Sequence, residues 1–189
     1  MIRTLIEPPA LLPVSVAEIK AHMRIDGTDE DAYLADLAAA ATSHVEARTG
    51  AALITQTWRV FLDDWPDAVI IALPLRPVRS ITAIRVYDSE GNGVEPAPGT
   101  FVLDAASEPA RLHITDRHAP SRPVNGIEID VVAGFGDTAV EVPDTLRRAI
   151  LVLAAFWFEV RGSATDAAAL GMEPNGFDRL IRPWRRIGL

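Results

Sequence analysis

Apolar positions recur at helical spacing in the first fifty residues and predict two helices. Ser15 and Glu18 have the spacing of a capping box, so the first helix is expected to begin at Ser15 and to end before Gly27. A second, longer helix is expected to end at Gly50, because glycine is a favourable residue just after a helix. Its predicted buried stripe comprises Leu34, Leu37, Ala41 and Val45.

The period of the pattern changes to two residues at about Ile54, which predicts strands. The strand candidates are residues 54–62, 69–73, 80–87, 100–103, 110–114 and 127–132. The run Gly91-Asn92-Gly93 predicts a turn between two of them. Short strands at this spacing favour a small antiparallel sandwich or barrel.

Helical spacing returns after Pro143 and predicts a long helix to about Val160. A loop over residues 162–176 and a short terminal helix over residues 177–189 follow. The expected fold is therefore α+β, with a discontinuous helical bundle, an inserted small antiparallel β module and a C-terminal arm. The expected division is 1–52 for the N-terminal helices, 53–134 for the β module and 135–189 for the part that packs with 1–52.

Composition narrows the possible functions. About half of the 189 residues are apolar, and no cysteine is present, so disulfides, thiolate metal sites and a cysteine nucleophile are excluded. A net charge of −8 disfavours a chain that grips nucleic acid along its whole surface. The longest apolar run, residues 149–158, is too short to cross a bilayer, so no membrane partner is expected.

Two sequence patterns that suggest bound ions or nucleotides have better structural explanations. His22, Asp26, Asp29 and Asp31 fit neither a calcium loop nor a zinc helix motif, so no metal site is predicted. Gly134-Phe135-Gly136 lacks the further residues of a phosphate loop and indicates a turn. No cofactor is expected.

No catalytic residues are predicted. The sequence has no nucleophile elbow, and His44 lies near the apolar stripe of the second helix, where a hydrogen-bonded structural histidine is expected. An unrecognised hydrolase stays open as an alternative if histidine and carboxylate groups converge in a pocket.

Residues 149–158 are apolar on all sides of the predicted helix. Such a helix has to be covered all round, which is difficult within a chain that has few helices. We therefore expect part of this helix to contact a neighbouring copy of the chain. The predicted subunit-interface residues are Leu151, Val152 and Phe156.

The terminal segment, residues 177–189, combines large apolar side chains with arginines, and both tryptophan and arginine are enriched at binding hot spots. It is expected to dock on an acidic partner. The predicted partner-binding residues are Phe177, Arg179, Leu180, Arg182, Trp184, Arg185 and Arg186. Two alternatives are a segment folded back on the chain's own acidic body and a contact with nucleic acid.

Several motifs, taken in order, resemble the head–tail connector (adaptor) proteins of tailed phages and related gene transfer particles. The stretch PVSVAEIKAHMRIDG, the long alanine-rich helix ending in Thr49-Gly50, and the strand–turn unit LPLRPVRSITAIRVYDSEGNG are similar to that family. So are GFGDTAVEVPDTLRRAILVLAAFWFEVRG and the terminal Arg185-Arg186-Ile187-Gly188-Leu189.

This resemblance implies a structural protein without enzymatic activity. The resemblance also implies a homo-oligomeric ring, commonly of twelve copies, that binds the portal protein and the next neck or tail protein (a stopper or terminator). DNA would pass through the ring without specific binding, in the neck of a virion or phage-like particle, after synthesis in the host cytoplasm. The alternative is a small nucleic-acid-binding or regulatory module that uses the arginine-rich C-terminus.

Overall fold

The computed structural model describes residues 1–97, 99–115, 117–161 and 172–185. The chain forms two compact units. The β unit comprises Met1–Ala10 with Thr55–Gly134, and the helical unit comprises Leu11–Ile54 with Phe135–Leu189. Helices and antiparallel sheets occupy separate parts of the chain, which confirms the predicted α+β class.

Two antiparallel sheets make up the described part of the β unit. The larger has the strand order β1-β2-β8-β4-β5, and the smaller has the order β3-β7-β6. The strands are β1 Ile2–Glu7, β2 Gln56–Leu62, β3 Ile70–Ala72, β4 Val78–Tyr87, β5 Gly93–Val94, β6 Phe101–Asp104, β7 Arg111–Ile114 and β8 Ile127–Ala133. The predicted turn at residues 91–93 joins β4 to β5, with Tyr87 opposite Gly93.

Strand β8 is the centre of the larger sheet and is buried along almost its full length. Ile129 lies opposite Val60 of β2 on one side and Ile84 of β4 on the other. All three side chains are buried, as the alternation of apolar residues in these strands requires. The β unit therefore has its own hydrophobic core.

The strand at the N-terminus was not predicted. Residues Ile2–Glu7 pair antiparallel with β2, and residues 1–10 belong to the β unit and not to the helices. The run is short, it precedes Pro8 and Pro9, and its partner strand lies about fifty residues further along the chain. Local pattern alone does not reveal such a long-range pairing.

Four α-helices occur in the described part of the helical unit: α1 Val16–Met23, α2 Asp31–Thr49, α3 Asp144–Val160 and α4 Phe177–Ile181. Short 3-10 turns span Ala139–Glu141 and Arg182–Trp184. The capping box between Ser15 and Glu18 is present, and Gly50 ends α2 with a φ of 70°, so both predicted signals are confirmed.

The helical unit is built around contacts of α3 with α1, α2 and α4. Its fully buried residues include Leu34 of α2, Ile150 and Leu153 of α3, and Phe177 and Ile181 of α4. Within the described ranges, no helix is long and apolar enough to cross a membrane.

Candidate partner-binding surfaces

Helix α3 has one buried face and one half-buried face, although its residues 149–158 are apolar on all sides. The buried face consists of Leu146, Ala149, Ile150, Leu153, Ala154 and Trp157. On the other side, Leu151, Val152, Ala155 and Phe156 keep part of their surface in contact with solvent. The predicted interface residues Leu151, Val152 and Phe156 therefore lie on the outward side of the helix.

Charged side chains stand near both ends of this outward side. Near the start of α3, Nη1 of the exposed Arg148 lies 3.2 Å from Nδ1 of His22. At the other end, the guanidinium of Arg161 lies 4.0 Å from the ring centroid of Phe158 and forms a 2.7 Å ion pair with Glu30. The hydrogen bond to Glu30 raises the pKa of Arg161, and the same contact lowers the pKa of Glu30.

An open groove of about 440 Å³ lies between α3 and α4. It is lined by Asp144, Thr145, Arg147, Arg148, Leu151 and Leu180. Leu151 is a predicted subunit-interface residue and Leu180 a predicted partner-binding residue, so the groove brings together one member of each predicted set. The other groove residues, from the first turn of α3, were not predicted, because their polar side chains have no distinctive spacing.

Arg147 fixes the wall of this groove. Its Nε donates to the carbonyl oxygen of Pro13 at 3.1 Å, and its guanidinium pairs with the carboxylate of Glu18. Hydrogen bonding from the Ser15 backbone N–H is the main cause that lowers the pKa of Glu18, with smaller contributions from the Ser15 hydroxyl and from Arg147. Because the carboxylate of Glu18 both caps α1 and pairs with α3, it positions these two helices against each other.

The described part of the terminal segment, residues 177–185, packs on the helical unit. Phe177 and Ile181 are fully buried in its core. The ring of Trp184 lies edge-on to Phe135, with centroids 5.4 Å apart, and its Nε1 donates to Oγ1 of Thr145 at 2.9 Å. This is the folded-back arrangement, and in it Phe177 is not available to a partner at the surface.

The arginines of the terminal segment differ in their surroundings. Arg185 forms a 2.7 Å ion pair with Asp178, which also lies 3.4 Å from Arg48. Arg179 and Arg182 are exposed and form no ion pair with the described part of the chain. Arg186 lies outside the described residues. Arg179 and Arg182 are thus the described cations of this segment that are available to an acidic partner.

His44 has the structural role that was expected for it. Its Nε2 lies 2.8 Å from Oε1 of Glu173, and its ring contacts Trp157 and Phe177, each with centroids 5.7 Å apart. Glu173 also pairs with Nε of Arg48 at 3.0 Å. These contacts connect α2, α3 and the residues just before α4.

A cross-strand cluster of charged side chains in the β unit was not predicted from the sequence. Arg59 of β2 forms two hydrogen bonds with the buried carboxylate of Asp130 on β8, at 2.7 and 3.0 Å, and Arg85 of β4 donates to the same carboxylate at 2.9 Å. Tyr87 donates to Glu128 at 2.9 Å. Burial alone would raise the pKa of Asp130, but the bonds from Arg59 and Arg85 outweigh it and lower that pKa.

This cluster connects three strands, and each of its carboxylates is bound by an arginine or by a tyrosine hydroxyl. Its partners become neighbours only through the sheet register, which places Arg59 opposite Asp130. In the part of the chain that the structure describes, no group of three or more histidine, aspartate or glutamate side chains is arranged to hold a metal ion. His22, which belongs to the sequence pattern considered as a metal site, contacts Arg148.

Comparison with known proteins gives one matching family, described as phage gp6-like head-tail connector protein, over residues 13–93. Three similar solved chains each match all of this chain and 97% of their own length. One is in the neck of an empty GTA particle computed with C6 symmetry, at 31% identity and a TM-score of 0.81. One is in the virion of a native gene transfer agent (GTA) particle, at 30% identity and a TM-score of 0.79. One is in the neck of a native GTA particle computed with C12 symmetry, at 30% identity and a TM-score of 0.78.

Comparison with curated proteins found no match. The family match covers α1, α2 and the first strands after them, and the structural matches extend the likeness over both units. A structural head–tail connector also agrees with the sequence-based expectation of a protein without enzymatic activity. From the matched motifs and the full-length structural likeness, we conclude that this chain belongs to the phage gp6-like head–tail connector family.

Proposed function

We propose that this chain assembles into a ring in the neck of a phage or gene transfer particle, below the portal. There it joins head to tail and extends the channel for DNA. The observation that carries this proposal is the full-length likeness to chains in particle necks computed with C6 and C12 symmetry. A ring of twelve copies agrees with the C12 case.

The outward side of α3 supplies the subunit contact in this proposal. Leu151, Val152 and Phe156 are large apolar side chains that remain partly exposed in the single chain. Burying apolar surface is the main favourable contribution to association, at about 25 cal/mol per Å². A neighbouring copy that covers this side would complete the packing of α3.

The exposed part of the terminal segment supplies the portal contact. Arg179, Arg182 and Arg185 have exposed guanidinium groups that can pair with carboxylates of a partner, Arg185 by exchanging its ion pair with Asp178, while Leu180 and Trp184 offer apolar anchoring area. Arg186 is included in this proposed set. Phe177 supports it from inside the core by holding α4 in place.

Charge distribution is consistent with passage of DNA. Four arginines and one aspartate give residues 177–189 a charge of +3, which leaves −11 on the rest of the chain, for the total of −8. A predominantly acidic wall does not retain phosphates, so DNA can move along it without tight binding. The opposite surface of the ring would contact the next neck or tail protein, a stopper or terminator.

The portal contact is tested by reversing the charge of Arg179 and Arg182, which are exposed and form no ion pair with the described residues. Purified particles carrying the Arg179→Glu and Arg182→Glu double variant are expected to contain much less of this protein per portal than wild-type particles. The Arg179→Lys and Arg182→Lys pair preserves charge, and Arg122→Glu changes net charge on the β unit; both controls should be incorporated normally. Normal incorporation of a folded double-Glu variant would contradict the assigned contact.

A further inference from the structure

The exposed face of α2 is made almost entirely of small side chains. Ala32, Ala39, Ala40, Ser43 and Ala47 are all exposed, and they follow helical spacing along one side of the helix. Asp36 is the one longer side chain among them. The opposite side of α2 carries the buried residues Leu34, Leu37, Ala41 and Val45.

The outward side of α3 carries larger side chains. Leu151, Val152 and Phe156 are half-buried there with Ala155 between them, and Leu151 and Phe156 also pack partly against the chain's own core. The exposed Arg148 and Glu159 lie at the two ends. An apolar centre with a polar rim is the usual composition of a protein interface. One helix therefore offers a surface of small side chains, and the other offers larger apolar side chains that remain partly exposed.

The two faces point in opposite directions. Helices α2 and α3 pack directly on each other, and each turns its buried stripe toward the unit's core. Their exposed stripes consequently lie on opposite sides of the helical unit. A surface on one side that fits a different surface on the other side can join copies head to tail, and such a contact closes into a ring when the rotation permits.

We infer that, in the assembled ring, the outward face of α3 in one copy packs on the alanine face of α2 in the next copy. This rests on the proposed function, because it names the surface that each ring neighbour contributes. Small residues on one helix let the axis of another approach closely, and projecting side chains of the second then fill the shallow grooves of the first. A ring with cyclic symmetry, such as the C6 and C12 symmetry of the necks that contain similar chains, requires two different contact faces per copy, and these two helix faces would supply them.

A single helix-on-helix contact of this kind is smaller than the roughly 800 Å² per partner of a standard stable interface. The isolated protein is therefore expected to stay monomeric at ordinary concentrations. The portal would raise the local concentration of copies and thereby drive the helix contact.

Cysteine cross-linking tests the inference directly, because the natural chain has no cysteine. Val152→Cys on α3 is combined with Ala39→Cys on α2, and in a second variant with Ala40→Cys, to allow for register. After mild oxidation of assembled particles, at least one double variant should give a ladder of disulfide-linked multimers on a non-reducing gel. Each single variant should remain monomeric, because a head-to-tail contact does not bring identical positions together.

Two outcomes would overturn the inference. Cross-linking of Val152→Cys alone would show that α3 meets α3 of the neighbour. Double variants that enter particles at normal copy number, yet form no multimers under oxidation or with a short thiol cross-linker, would show that another surface covers α3. Failure of the wild-type chain to enter particles at all would instead contradict the proposed function, so the two failures are distinguishable.

Discussion

The indole Nε1 of Trp184 donates to Oγ1 of Thr145 across 2.9 Å, which ties the end of the described chain to the first turn of α3. The same tryptophan packs edge-on against Phe135. The terminal segment is thus a packed part of the helical unit that also carries exposed arginines. The segment therefore packs in the core and would also carry the proposed partner contact.

Phe177 and Leu180 should respond differently to truncation. Phe177→Ala empties a fully buried site and is expected to lower the free energy of unfolding by about 4 kcal/mol, measured by urea denaturation. Leu180→Ala removes a half-exposed side chain, so it should lower the free energy of unfolding clearly less. The amount of this variant that is incorporated into particles should nevertheless fall. Similar stability losses for the two variants would contradict the placement of Phe177 in the core.

Asp130→Asn should destabilise the β unit strongly. The change removes the negative partner of Arg59 and Arg85 at a site where the carboxylate is only 7% exposed. Breaking a buried ion pair from one side typically costs about 3 kcal/mol, which urea denaturation would detect. Glu95→Gln is the matched control, because the Glu95 carboxylate is 65% exposed and lies 3.6 Å from the same Arg85, and it should have little effect.

Acid should destabilise the protein by protonating three carboxylates whose pKa values folding lowers. The folded state holds the pKa values of Asp130 and Glu18 below their ordinary values, and hydrogen bonds from Ser107 and then Arg111 lower the pKa of Asp104 to about 2. In the acid range the unfolded chain binds more protons, so stability is fully present above the ordinary values near 4 and decreases toward pH 2. Asp130→Asn should show a shallower pH dependence of the unfolding free energy than wild type; an equal slope would contradict this.

Reversing the apolar character of the outward side of α3 should block assembly without unfolding the chain. Val152→Arg places a charge on a half-exposed position, so circular dichroism and thermal unfolding should change little. Incorporation into particles should be lost. Val140→Arg, at an 81% exposed site before α3, is the control and should assemble normally. Normal assembly of Val152→Arg would exclude this side as the subunit contact.

Duplex DNA should not bind the isolated protein at about physiological salt. Fluorescence anisotropy at two salt concentrations would measure this, because binding through phosphates weakens steeply as salt rises. Salt-sensitive binding that disappears in the Arg179→Glu and Arg182→Glu variant would favour the alternative of a small nucleic-acid-binding module.

Local signals in the sequence predicted most of the elements. Ser15, Gly50 and Pro143 act through neighbouring backbone groups, and the six strand candidates correspond to β2, β3, β4, β6, β7 and β8. Alternating apolar and polar residues marked β7 and β8 most clearly, although β8 is buried along almost its full length. The outward residues Leu151 and Val152 were also singled out from sequence, by the unusual apolar character of α3.

Features that depend on distant partners could not be predicted. Strand β1 needs β2 to form, and the cluster around Asp130 exists only in the observed register. Phe177 was expected at a binding surface, because the terminal segment combines large apolar side chains with arginines, as binding hot spots do. Only the three-dimensional structure shows that Phe177 faces His44 and the core of the helical unit.

A reconstruction of the particle neck tests the central claim most directly. It should be carried out on particles in which this chain bears a density-adding tag. We expect a closed ring of this chain between the portal and the next neck component, with α3 of each copy against its neighbour and the tagged density repeated around the axis. Particles whose neck is complete without this chain, or in which the tag appears at isolated positions away from the portal, would contradict the account.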